Sequence, residues 1–71
     1  MRYTIVIEKG PASYGAYVPD LPGCVAAAET QQEVLELIRE AIAFHLEAMR
    51  GDGLPIPEPL SIAESVEVAF A

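Results

Sequence analysis

Seventy-one residues fit one domain, expected to span residues 1–71, and a chain this short buries only about 60% of its unfolded surface. With 52% hydrophobic residues it carries surplus apolar surface that points to self-association as a homodimer or homotetramer, yet it lacks an apolar run of about eighteen residues and so excludes a membrane helix. Eleven acids against four scattered bases (Arg2, Lys9, Arg39, Arg50) give a formal charge of −7, which speaks against direct nucleic-acid binding and for a basic protein partner, although acidity also serves plain solubility.

Tyr3–Glu8 is rich in β-branched and aromatic residues; as a strand it sets Tyr3, Ile5 and Ile7 on one face and Thr4, Val6 and Glu8 on the other. Lys9-Gly10-Pro11 signals a turn, and Tyr14–Val18 a second strand in an antiparallel hairpin. Pro19 donates no ladder hydrogen bond and ends that strand. After Pro19-Asp20-Leu21-Pro22-Gly23, residues Cys24–Ala28 form a third strand whose small side chains let a helix lie close.

Thr30 and Glu33 make a capping box. The helix is expected to run to Arg50, which suits the dipole, and to stop at Gly51. Its polar sector holds Glu36, Arg39, Glu40, Glu47 and Arg50, while the remaining apolar arc is wider than one sheet face needs. One flank is therefore expected on the sheet and another at a subunit or partner contact, with Phe44, His45 and Ala48 as the oligomer contact. Prolines 55, 57 and 59 keep the next segment extended. Ser65–Phe70 reads as a final strand with Val66, Val68 and Phe70 on one face. The expected class is α+β: an antiparallel sheet with one helix on a face, in the order β-β-β-α-β.

Candidate chemistry is sparse. His45 is the sole histidine and falls in the apolar arc, where packing or a subunit contact outweighs catalysis. Cys24 is a lone thiol with no cationic neighbour in sequence, so core packing is its expected role; one cysteine and no signal peptide fit a reducing cytoplasm. Asp20 is expected in an Asx-turn, bonding the backbone two residues on. Glu36 and Glu40, four apart, repel on a solvated face. No phosphate loop, nucleophile elbow or zinc spacing occurs. No catalytic residue, metal ligand or cofactor is assigned.

The run Tyr17-Val18-Pro19-Asp20-Leu21-Pro22-Gly23-Cys24, with Thr30 and Glu33 at the helix start and Gly53-Leu54-Pro55-Ile56-Pro57-Glu58-Pro59 after it, resembles the HicB-like antitoxins over nearly the whole chain. Ala28 departs from the pattern, since members often carry glycine there. The resemblance implies a truncated ribonuclease H-like fold without that fold's metal-binding carboxylates, hence no enzyme. It implies a partner, HicA, a small basic ribonuclease with a double-stranded-RNA-binding-like fold whose active site the antitoxin blocks. Many members carry a C-terminal DNA-binding region, for which a chain ending at Ala71 is expected to have no room. Asp20 and Leu21, as an exposed turn, and Glu36, Glu40 and Glu47 on the helix are the expected partner-binding residues. The alternative is a solitary homo-oligomeric regulatory or ligand-binding domain without a toxin.

Overall fold

Alternation in the first thirty residues does what its period dictates. A computed structural model, which describes residues 1–70, contains strands β1 (Val6–Lys9), β2 (Tyr14–Tyr17) and β3 (Val25–Ala28), followed by helix α1 (Gln31–Gly51). The sheet order is β1-β2-β3 and both pairings are antiparallel. Val6 faces Tyr17 and Lys9 faces Tyr14 in the first pair; Tyr14 faces Ala28 and Tyr17 faces Val25 in the second. Gly10 N–H donates to Ser13 O at 2.7 Å and closes the first hairpin.

The Pro-Asp-Leu-Pro-Gly run folds as two consecutive turns that share Leu21. Leu21 N–H donates to Val18 O (3.0 Å) across Pro19-Asp20, and Cys24 N–H donates to Leu21 O (3.1 Å) across Pro22-Gly23. Proline suits the first central position of each turn, and the second turn needs positive φ at its other central position. Gly23 supplies it, at φ 84°. Two turns back to back drive the Leu21 side chain inward, where it is 1% exposed. The expectation of an exposed Asp20-Leu21 turn therefore fails for Leu21: this residue plugs the core.

Helix α1 opens as its capping box requires. Thr30 Oγ1 accepts from Glu33 N–H (3.1 Å), and the Thr30 hydroxyl donates to Glu33 Oε1 (3.0 Å). Glu33 thus closes the box on the hydroxyl instead of the expected cap amide. The far end is a Schellman motif. Gly53 N–H donates to Arg50 O (3.1 Å) and Leu54 N–H to Met49 O (2.9 Å), with Gly53 left-handed at φ 70°. Gly51, expected to stop the helix, is its last helical residue; the positive φ falls two residues later.

The helix lies mainly over β3 and least over β1. Ala26 and Ala28 present little bulk there, which permits the close approach. Its Val34 and Ile38 join Ala16, Val18, Leu21 and Cys24 in the fully buried core, with Tyr3, Ile5, Ile7, Ala41, Ile42 and Leu46 packed around it. Burying Leu21, Val34 and Ile38 contributes about 1.5–3 kcal/mol each.

The expected fourth strand does not form within the chain: residues 54–70 carry no regular structure. A strand needs a neighbour to complete its hydrogen bonds, and Val66, Val68 and Phe70 stand free, 81%, 73% and 96% exposed. The radius of gyration is accordingly 14.2 Å, against about 11 Å for a compact chain of this length.

Candidate partner-binding surface

At about 100° per residue, Glu36, Glu40 and Glu47 fall within about 40° of one another on α1. All three are exposed, so the structure brings these expected contact residues into one acidic stripe. Glu47 lies 3.9 Å from the Arg50 guanidinium in an exposed pair, too solvated to neutralise the stripe or to contribute much to stability.

Phe44 and Ala48, one turn apart, form an exposed apolar flank beside this stripe, with Phe44 76% exposed. Together with Glu47, Arg50 and Gly51 they line a shallow hollow. His45 is half-buried, and by the helical period it falls between Val34 and Ile38 on the packed side, about 100° from Phe44. The wide apolar arc thus divides as its width suggests: Val34, Ile38, Ala41 and Ile42 turn inward, and Leu37, Phe44 and Ala48 turn out.

Asp20 is neither an Asx-turn nor a free surface carboxylate. Its Oδ2 accepts from Ser61 N–H (2.9 Å) and its Oδ1 from the Ser61 hydroxyl (2.8 Å). The distant Ser61 offers two donors at once, which outcompetes the local backbone. The Ser61 N–H, then its hydroxyl, hold the Asp20 carboxyl below its ordinary value by favouring the charged form. Ser61 O accepts from the Thr4 hydroxyl (2.8 Å), so every polar group of Ser61 is engaged. One step earlier, the Tyr3 hydroxyl donates to Pro57 O. Tyr3, Thr4, Asp20 and Ser61 therefore pin the returning chain to the loop end of the sheet.

Sequence reasoning missed this clamp. Ser61 sits between Leu60 and Ile62 with no motif to mark it, and its partners lie 41 and 57 positions away. Cys24 is buried, as packing of a lone apolar-like thiol predicts, and burial pushes its thiol up, away from the reactive thiolate. Among the described residues no three His, Cys, Asp or Glu side chains converge on one point, and no helix is long and apolar enough to cross a membrane.

A family model described as the HicB-like antitoxin of a bacterial toxin–antitoxin system matches residues 3–69. A UPF0150 protein of Helicobacter pylori is 38% identical over the whole of both chains. A 14.9 kDa protein from the rep-hol intergenic region of Haemophilus phage HP1 is 39% identical over 66 residues, 93% of this chain but 50% of the phage protein; the chain spans half the length of that relative. Among solved structures, a chain of a HicA3 and HicB3 toxin–antitoxin complex superposes with a TM-score of 0.72 at 35% identity, covering 84% of this chain and 70% of the other.

Proposed function

Because this chain belongs to the HicB-like antitoxin family, we propose that it binds a small basic HicA-type ribonuclease and blocks its active site by occlusion, with no chemistry of its own. The observation that carries this reading is the likeness to a protein solved within a HicA3 and HicB3 complex. The acidic stripe Glu36, Glu40 and Glu47 supports it physically. An RNA-binding protein presents clustered cations, and a row of exposed carboxylates on a rigid helix complements them without having to be ordered on binding. The Asp20 carboxylate adds its charge from the β2–β3 loop while its oxygens stay engaged by Ser61.

The test mixes the protein with a HicA-type ribonuclease and follows both association and RNA cleavage. Cleavage should stop near stoichiometric addition. Reversing the stripe (Glu36→Lys, Glu40→Lys, Glu47→Lys) should slow association at least about tenfold at low salt and flatten its salt dependence. Binding with unchanged rate and salt dependence would remove the stripe from the interface; undiminished RNA cleavage at saturation would end the antitoxin reading.

The exposed Phe44 flank favours a second reading, in which the chain is a solitary homo-oligomeric regulatory or ligand-binding domain, packed through Phe44, His45 and Ala48. Phe44→Glu separates the two: it should disperse such an oligomer and leave capture of the ribonuclease intact.

A further inference from the structure

The clamp at Ser61 divides the molecule sharply. Up to Ser61 the chain is pinned by Tyr3, Thr4 and Asp20; every described residue after it is exposed. This arm is nonetheless apolar in a strand's rhythm, with Val66, Val68 and Phe70 on one face. Ile62 is also 83% exposed. A period-two apolar segment exposed on all sides is a strand without a neighbour.

The same chain offers the neighbour. β1 is an edge of the sheet, and no strand pairs with its outer side among the described residues. The helix leans away from β1 toward β3, leaving an open cleft of about 420 Å³ lined by Ile5, Leu35, Ile38 and Ile42, with Arg2 and Arg39 also on its wall. A strand added along β1 points alternate side chains to the helix side of the sheet, toward this cleft. Its charge also fits: the arm carries Glu64 and Glu67 and no base, while the cleft holds two of the chain's four bases.

We infer that the arm of one copy adds to the free edge of β1 in a second copy, and that the exchange is mutual. Val66, Val68 and Phe70 fill the cleft between α1 and the segment leading into β1 of the partner, and Glu64, on the same face of the arm, lies near its arginines while Glu67 faces outward. Exchange is favoured over closure within one chain because Pro55, Pro57 and Pro59 fix φ along the approach and the Ser61 clamp sets the direction of departure. The arm then runs outward, giving the molecule a 52 Å long axis. This dimer differs from one built on Phe44 and stands whether or not a ribonuclease is bound.

Two pools of protein test it, one with Glu8→Cys on the solvent face of β1, the other with Ser65→Cys, Glu67→Cys or Ala69→Cys on the outward face of the arm. Buried Cys24 stays in place. The pools are unfolded together, refolded, oxidised and blocked with iodoacetamide. No chain carries both new thiols, so a disulfide between them requires two chains. For at least one arm position, that mixed disulfide should exceed the share expected from random pairing. Random pairing at all three positions overturns the proposal.

Sedimentation equilibrium gives the second readout. Wild type should be a dimer or a multiple of it, and Val66→Asp with Val68→Asp should reduce it to monomer with the helical circular dichroism unchanged, because neither side chain is buried in its own chain. A monomeric wild type, or an assembly untouched by the double substitution, overturns strand exchange.

Discussion

Residues 3–7 and 66–70 are both alternating, β-branched and aromatic, and their fates differ. The first segment leads into β1 with Tyr3, Ile5 and Ile7 packed against the core; the second stands in solvent with no hydrogen-bonded neighbour. What separates them is supply. The hairpin brings β2 to β1 within a loop of four residues, whereas three prolines and a clamp carry the arm away from every edge of its own sheet. Alternation states that a segment needs a partner, while connection length and stiffness decide where the partner is.

The comparison is sharpened most by removing the residue that closes the head. Leu21→Ala deletes a side chain that is 1% exposed and sits between two fixed turns, where collapse is restricted. The expected loss is about 2–5 kcal/mol, measured by urea unfolding. A loss below about 1 kcal/mol would mean that the double turn, not its leucine, seals the core. Gly23→Ala comes next. A Cβ there meets nothing within 4 Å, so the effect is confined to φ 84°, about 1–2 kcal/mol. A neutral outcome would show that the second turn relaxes.

Much of the head was legible because its causes are local. Pro19 and Pro22-Gly23 announce turns, Thr30 and Glu33 announce a cap, and the helical arc shows two apolar flanks. The glutamate stripe was legible for the same reason, since one helical period places all three. The larger errors share one origin. Leu21 looked exposed because turn residues usually are; its burial follows from two turns in succession, which only the fold closes. Asp20 looked like a local turn-former because its true partner is 41 positions away. The unpaired final strand is the same lesson at larger scale.

The clamp that separates head from arm is itself pH-sensitive, in a direction that can be worked out. The Ser61 donors depress the folded-state value of Asp20, so the clamp's contribution is present above the unfolded carboxyl value of about 3.9 and fades as pH falls through the lower folded value. Asp20→Asn should therefore be less stable than wild type near neutrality, with the gap narrowing below about pH 4. Faster exchange of the Ser61 amide in the variant at neutral pH would locate the effect. A gap that widened on acidification would mean that folding raises the Asp20 carboxyl instead of lowering it.

The smallest expected effect is the most discriminating. In a chain diluted to monomer, Val66→Ala removes two methyl groups that are already 81% exposed, so unfolding free energy should change by less than about 0.5 kcal/mol, the range of an ordinary surface site. At higher concentration the same substitution should lower the wild-type midpoint, because a second copy that binds only the folded state stabilises it by mass action. The two behaviours belong to one side chain and differ only in whether a β1 edge from elsewhere is present. A loss of more than about 1 kcal/mol in the dilute monomer would mean that the arm packs on its own head. A midpoint indifferent to concentration would leave the alternation of Val66, Val68 and Phe70 without the partner it calls for.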